Sequence, residues 1–256
     1  GNPSWSFYYR NLARELASSH RVIVPDHIGC GLSDKPDDDR YDYTLESRVA
    51  DLERLLDHLG VTQDITLVVH DWGGMIGFTY AHRHPHRIKR LVVLNTAAFL
   101  LPEGKPLPLA LQIVRNTPLG AWLVRGLNAF SAIASHVGCK ENPMSAELRA
   151  AYQAPYDTWQ NRIATLRFVQ TIPLQPGDRD YALVRDVQDH LEQHRDVPML
   201  ICWGERDFVF DRDFLAEWRR RFPEATVHAF PRAGHYVLED AADRVVPLIR
   251  DFVRTP

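Results

Sequence analysis

Five short, continuously apolar runs alternate with helical patterns, and this alternation constrains the fold more than any other feature of the chain. Strands that are covered on both faces of a parallel sheet have such unbroken apolar runs. The runs are Arg21–Asp26, Ile65–His70, Leu91–Asn95, Met199–Gly204 and Thr226–Phe230. Strand–helix alternation predicts an α/β fold with a mostly parallel sheet flanked by helices.

The helical patterns between these runs have recognisable ends. From Leu45 to Leu59 the apolar residues follow steps of four and three, with Thr44 as the N-cap and Gly60 as the stop. Similar patterns predict four further helices, over Tyr8–Ala17, Gly74–His82, Phe214–Arg221 and Asp240–Val253.

The alternation stops between Ala97 and Asp196, where no convincing strand occurs and eight prolines divide the chain. We therefore expect an all-helical lid segment (residues 97–196) inserted between core strands. Residues 1–96 and 197–256 then form the two parts of the core. An independent helical bundle is the alternative, although both flanks return to the strand pattern. Within the lid segment we expect an apolar pocket lined by residues that include Leu111, Val114, Trp122 and Leu123.

Composition excludes several classes of protein. Lysine and arginine number 30 against 33 acidic residues, a net charge of −3 that argues against a general nucleic-acid binder. No apolar run is long enough to span a membrane. Three well-separated cysteines form no disulfide framework or CxxC pair, which favours a reducing, cytoplasmic location. The alternating His82, His84 and His86 are best explained as an exposed helix end, so we expect no metal site.

The run Ile65–His70 leads directly into Asp71-Trp72-Gly73-Gly74 and then a helix. This strand–turn–helix context is that of a nucleophile elbow, here with Asp71 where serine is usual. A carboxylate nucleophile suits displacement at a carbon that bears a leaving group, or the opening of a strained ring. The sequence therefore predicts an enzyme that forms a covalent aspartyl intermediate.

Two further polar residues follow the last two strand runs, in the order acid and then histidine. Asp207 comes just after Met199–Gly204, and His235 comes just after Thr226–Phe230. We predict that His235 moves a proton or activates water while Asp207 orients its ring. Glu205 is a rival for the role of the acid.

Asn2 and Trp72 are candidates for binding an anion. Both offer side-chain N–H donors, and their backbone N–H groups are candidate oxyanion donors. The alternatives are that Asn2 serves a tight turn and that Trp72 only packs against the lid segment.

The strings GNP, PDHIGCGLSDKP, VVHDWGGMIG, WGERD and AGHY resemble the haloalkane dehalogenase branch of the α/β-hydrolase superfamily. The longer strings GNPSWSFYYRNL and PDHIGCGLSDKP are more similar to the β-lactone decarboxylases of bacterial long-chain olefin biosynthesis. This resemblance implies a small hydrophobic substrate, a cis-dialkyl β-lactone that is converted to a cis-alkene and CO2. It implies the Asp71–His235–Asp207 triad, the anion-binding pair Asn2 and Trp72, no cofactor, and association with other enzymes of the olefin pathway.

Three other interpretations stay open at this stage. The chain could be a haloalkane dehalogenase, a truncated and inactive binding protein with the same fold, or an epoxide hydrolase that uses two lid tyrosines among Tyr152, Tyr156 and Tyr181. The resemblance also implies a strand between Arg21–Asp26 and Ile65–His70 that the sequence does not contain. N-terminal strands of the fold are therefore expected to be missing, with two strand edges left unpaired.

Overall fold

The computed structural model describes residues 1–254 and contains a parallel sheet of four strands in the order β1-β2-β3-β4. The strands are β1 (Ile65–Asp71), β2 (Ile88–Thr96), β3 (Met199–Gly204) and β4 (Thr226–Phe230). Each neighbouring pair is parallel, so the carboxyl ends of all four strands lie at one edge of the sheet. Four of the five expected strands and their parallel arrangement are confirmed.

Helices cover both faces of the sheet. They are α1 (Arg10–Leu16), α2 (Leu45–His58), α3 (Trp72–Arg83), α4 (Leu109–Asn116), α5 (Pro118–Leu127), α6 (Ala129–Val137), α7 (Ala146–Gln153), α8 (Ile163–Gln170), α9 (Tyr181–Asp189), α10 (Arg212–Arg221), α11 (Val237–Asp240) and α12 (Ala242–Arg254). The predicted start of α2 is confirmed, because the Thr44 side chain accepts a hydrogen bond from the Ser47 N–H. The segment between β2 and β3 contains only α-helices and short 3-10 turns among the described residues.

The prediction of a strand at Arg21–Asp26 is wrong, because this segment does not join the sheet. A cleft of about 580 Å³ is lined both by this segment, through Val22, Ile23 and Val24, and by β1, through Leu67 and Val69. A strand is stabilised by backbone pairing with a neighbour, and the cleft keeps these two edges apart. The expected gap between the two segments is therefore present.

The apolar core lies on both faces of the sheet. One cluster packs α1 and α12 against it and includes Leu94, Cys202 and Ile249. The opposite cluster contains Val93 and Trp203. No helix within residues 1–254 is both long and apolar enough to cross a membrane.

Close packing joins the turn after β1 to the end of β2. A Cβ added at Gly74 in α3 would overlap Thr96 Oγ1 and lie 2.6 Å from the Ala97 carbonyl oxygen. Helix α3 can therefore start directly above the sheet only if position 74 lacks a side chain. The neighbouring Gly73 has no such constraint, since the nearest atom to its added Cβ is Val69 Cβ at 3.9 Å.

This difference predicts opposite outcomes for two similar substitutions. Gly74→Ala should lower the free energy of unfolding by about 2 kcal/mol or more, because backbone and side chain at the end of β2 must shift. Gly73→Ala, the matched control, should change it by less than about 0.5 kcal/mol. Urea unfolding of both variants measures the difference, and equal stabilities would contradict the packing described here.

Candidate active site

Asp71 occupies the sharp turn between β1 and α3. Its backbone has φ 51° and ψ −125°, a conformation that a residue with a side chain adopts only under strain. The Thr96 hydroxyl donates to the Asp71 carbonyl oxygen, and the Asn2 N–H donates to Asp71 Oδ1 at 2.6 Å. The side chain is held at the carboxyl edge of the sheet, as a nucleophile elbow requires.

His235 and Asp207 meet beside this elbow. Asp207 Oδ2 lies 2.7 Å from His235 Nδ1, and His235 Nε2 lies 3.6 Å from Asp71 Oδ2. All three residues are at least nine-tenths buried. The structure therefore brings together the three residues that the sequence singled out, with the histidine between two carboxylates. Such a set can attack an electrophilic carbon and then move a proton at the same place.

The charge state of His235 follows from these neighbours. Burial alone lowers its pKa, but the charge and hydrogen bond of Asp207, together with Asp71, outweigh burial and raise the pKa above its ordinary value. The preceding histidine, His70, behaves in the opposite way: burial and the proximity of His235 hold its pKa well below the usual range. A neutral His70 can donate from Nε2 to the His235 carbonyl oxygen, 2.9 Å away.

The sequence reasoning missed two residues that hold the triad in place. The Asn95 side chain donates to Asp207 Oδ2 at 3.0 Å and also bonds the N–H and the carbonyl oxygen of Gly204. Asp240, completely buried, accepts from the Gly234 N–H at 2.6 Å, next to His235. Its carboxylate also accepts from three N–H groups of the lid segment, those of residues 140, 141 and 142. A short polar residue at a strand end was the only sequence signal for Asn95.

The rival acid and the alternative use of lid tyrosines are not favoured by the geometry. Glu205 pairs with Arg212 at 3.1 Å, whereas Asp207 bonds His235. The Tyr152 hydroxyl bonds Glu239, and the Tyr156 hydroxyl bonds the Ser4 carbonyl oxygen. Neither these two tyrosines nor Tyr181 lines the cavity above Asp71. An epoxide hydrolase arrangement with two lid tyrosines is therefore absent from the described residues.

Asn2 and Trp72 are both next to Asp71, Asn2 through a hydrogen bond and Trp72 as the following residue. Both line the cavity, and Trp72 packs against Phe168 at a ring-centroid distance of 5.2 Å. One Asn2 side-chain N–H donates to the Thr165 carbonyl oxygen at 3.0 Å. Within residues 1–254 no hydrogen bond is found for the Trp72 indole N–H. These donors can face an anion that forms beside Asp71.

An apolar cavity of about 320 Å³ extends from the triad into the lid segment. Polar groups lie mainly at its floor, where Asp71 and His235 are exposed to it. The remaining lining is largely aliphatic and aromatic and includes the expected Leu111, Val114 and Leu123 together with Met75, Leu107, Phe130, Val169, Ile172, Phe208 and Phe210. The prediction for Trp122 is wrong: its side chain is 50% exposed and does not line the cavity. The helical spacing identified the segment but not which face of α5 points inward.

The histidines near the end of α3 do not converge on one point. His82 Nε2 lies 3.1 Å from Asp186, while His84 Nε2 lies 3.1 Å from Glu53. His82, Asp186 and His190 form a surface group whose ligand atoms lie within 4.8 Å of one another. These side chains already bond one another or nearby groups, so this geometry alone does not define a metal centre.

The class of protein follows from the fold and from this site. A family model described as alpha/beta hydrolase fold matches residues 1–242, and the chain belongs to that family. A crystal structure of the haloalkane dehalogenase DbeA from Bradyrhizobium elkani superposes with a TM-score of 0.85 at 25% identity. The alignment covers 99% of this chain and 87% of that chain.

Two curated relatives are much more similar in sequence. A protein of Shewanella oneidensis named cis-3-alkyl-4-alkyloxetan-2-one decarboxylase is 64% identical over 99% of this chain and 80% of the relative. A Xanthomonas campestris protein of the same name is 54% identical over 99% of this chain and 86% of the relative. The haloalkane dehalogenase 2 of Mycobacterium tuberculosis is 28% identical over 97% and 84%. The chain is thus grouped with the first two, and the dehalogenases are more distant.

The position of Asp207 gives a prediction about pH. Asp207→Asn should lower the pKa of His235, because the carboxylate charge that raises it is removed while the shape is kept. NMR titration of the His235 ring measures this pKa directly. Glu205→Gln is the matched control, and it should leave the His235 pKa unchanged because Glu205 bonds Arg212 instead.

The same shift determines a pH dependence of stability. The folded-state pKa of His235 lies above the ordinary value of 6.5. Protonation of His235 therefore adds to the free energy of unfolding, and this addition is fully present below pH 6.5 and is lost as pH rises through the folded-state pKa. Urea unfolding of the wild type should show this loss, and Asp207→Asn should not. An identical pH profile for both proteins would contradict the assigned pairing.

Proposed function

We propose that this protein is a β-lactone decarboxylase that converts a cis-3,4-dialkyl oxetan-2-one into a cis-alkene and CO2. The observation that carries the proposal is an aspartate nucleophile beside a histidine–aspartate pair, at the floor of an apolar cavity. The chain is 64% identical to a protein whose name describes that reaction. An apolar cavity suits the alkyl chains, since burial stabilises each CH2 by about 0.8 kcal/mol.

In the proposed first step, the Asp71 carboxylate attacks C4, the ring carbon bonded to the ring oxygen. The C4–O bond breaks, an ester forms between Asp71 and C4, and the ring oxygen leaves as part of a carboxylate carried on C3. Strain in the four-membered ring favours this displacement by a weak nucleophile. The freed carboxylate forms beside the N–H donors of Asn2 and Trp72.

In the proposed second step the carboxylate leaves as CO2. The electron pair of the C2–C3 bond forms the C3=C4 bond while the bond from C4 to Asp71 breaks. Inversion at C4 followed by anti elimination preserves the cis relation of the two alkyl chains. The two steps consume no water and leave Asp71 as the free carboxylate.

This sequence gives His235 a role that differs from water activation. The raised pKa favours the imidazolium form, and its Nε2 lies 3.6 Å from Asp71 Oδ2. A positive charge there stabilises Asp71 as the departing carboxylate in the second step. Asp207, fixed by Asn95 and by the Val209 N–H, keeps the ring turned toward Asp71.

Haloalkane dehalogenation is the second candidate, favoured by the paired donors of Asn2 and Trp72, which suit a halide ion. The relatives with that name are only 28% identical. The third candidate, an inactive binding protein, is not favoured by a triad whose three side chains are in position.

We further propose a small hydrophobic substrate, a cytoplasmic location and association with the other enzymes of the olefin pathway. The three described cysteines are free and buried, as suits a reducing compartment.

Asp71→Asn tests the nucleophile. It should abolish formation of alkene from a synthetic cis-dialkyl β-lactone, because the amide has nearly the same shape but is a far poorer nucleophile. Gas chromatography with mass detection of the alkene measures turnover. Asp37→Asn, an exposed control, should retain full activity. Undiminished turnover by Asp71→Asn, with its mass confirmed against deamidation, would exclude the proposed mechanism.

His235→Ala separates the two candidate reactions. With a haloalkane, displacement by Asp71 needs no base, so halide should appear as a single burst of about one equivalent while the ester persists on Asp71. If the proposed function is correct, the wild type should release alkene and CO2 when given the β-lactone. The same protein should release no halide when given a haloalkane. Intact-protein mass spectrometry of the variant detects the ester. Steady halide release by the wild type without lactone turnover would favour the dehalogenase.

A further inference from the structure

Helices α4, α5 and α6 expose an unusual number of large apolar side chains. Of the ten exposed large hydrophobic residues among those described, six lie in this short stretch of the lid segment. They are Leu109, Ile113, Leu119, Trp122, Leu127 and Ile133, and we call them the outer lid face. Clustering of this kind marks an interaction site, whereas singly scattered apolar residues need no explanation.

The three helices are apolar on both sides. Leu111, Val114 and Leu123 point into the cavity, whereas Leu119 is 61% exposed and Trp122 is 50% exposed. Leu119 and Trp122 are three residues apart on α5, so they share one side of that helix. Helix α5 packs between α4 and α6, which places the exposed residues on adjacent helices. Packing within the fold explains the inner residues but not the outer ones.

The stretch of chain that carries this face is basic. Residues 104–140 contain lysines and arginines but no aspartate or glutamate, in a chain whose net charge is −3. Lys105 and Arg115 pair with acids from outside the stretch. Arg125 has no ion pair and instead lies 4.6 Å above the ring of Trp159, itself 43% exposed.

Arg162 adds a second unpaired cation at the same place. Its guanidinium donates only to backbone carbonyl oxygens, including those of Arg125 and Gly126 at the end of α5. Among residues 1–254 neither Arg125 nor Arg162 forms an ion pair within 4.0 Å, although Asp38 is near enough to act on Arg125 and Asp157 on Arg162. Exposed tryptophans and unpaired arginines beside an apolar surface are the groups that settle at the boundary between lipid headgroups and acyl chains.

The cavity reaches this same face. Ile113 and Ile133 are 38% and 59% exposed, and both also line the cavity above Asp71. Part of the cavity wall and part of the outer lid face are therefore formed by the same two side chains. A hydrophobic molecule could pass from an adjoining apolar phase to Asp71 without crossing water.

We propose that the outer lid face docks on an anionic phospholipid surface and that the cavity exchanges hydrophobic molecules with that surface. The apolar side chains enter the acyl boundary, and Arg125 and Arg162 contact anionic headgroups. Docking requires no particular reaction at Asp71. If the proposed function is correct, docking would let the protein take its two-chain substrate from the lipid surface and return the alkene product to it.

Flotation with lipid vesicles tests the docking. The wild type should bind vesicles of phosphatidylglycerol mixed with phosphatidylcholine, bind phosphatidylcholine alone more weakly, and lose binding as sodium chloride is raised. The double variant Leu119→Ser with Trp122→Ser should bind the anionic vesicles at least roughly tenfold more weakly, because the two apolar anchors are removed. Leu32→Ser, at an 81% exposed leucine outside the lid segment, is the matched control and should bind normally.

Activity and oligomeric state are measured on the same proteins. Neither Leu119 nor Trp122 lines the cavity, so the double variant should keep its turnover of lactone dispersed without vesicles. Absence of vesicle binding by the wild type, or equal binding by all three proteins, would overturn the docking proposal. A dimer in the wild type that is lost only in the double variant would assign the face to a second copy instead. Vesicle binding without any turnover would overturn the proposed reaction and leave the docking in place.

Discussion

The close approach of α3 to the end of β2 is the contact on which the rest of the site depends. Gly74 leaves no room for a side chain beside Thr96 and Ala97, and the Thr96 hydroxyl holds the Asp71 carbonyl. The strained backbone at Asp71 persists because these contacts over-determine it. The lid segment begins at the same place, so one packed junction fixes both the position of Asp71 and the start of the cavity roof.

Electrostatics then determines what this junction can do. His235 lies between Asp71 and Asp207 in a buried site, and opposite charges on both sides outweigh the cost of burying its positive form. His70, only one residue before Asp71, is buried without such partners, which keeps its pKa well below the usual range and its ring neutral. The two adjacent histidine rings therefore have different roles. His235 carries a positive charge at the cavity, and His70 bonds the backbone carbonyl oxygen of His235.

The lid segment connects this chemistry to the surroundings of the protein. Its inner residues make the cavity apolar, which strengthens the interactions among Asp71, His235 and any developing anion. Its outer residues leave an apolar face next to Arg125 and Arg162, neither of which forms a close ion pair among the described residues. Asp240 joins the two regions, since one buried carboxylate accepts hydrogen bonds from the lid segment and from the residue before His235.

The sequence by itself determined that the strands are parallel, that the segment between β2 and β3 is helical, and that Asp71, Asp207 and His235 meet. Strand runs end in Asp71 or just before Asp207 and His235, and parallel strands bring their carboxyl ends together. Tertiary structure alone decided the rest. Arg21–Asp26 is strand-like in sequence but unpaired, since a strand needs a neighbour. Trp122 fits the apolar pattern of α5 yet points outward, because periodicity does not say which face of a doubly apolar helix turns inward. Asn95 and Asp240 support the triad through hydrogen bonds between residues distant in sequence, which no local pattern records.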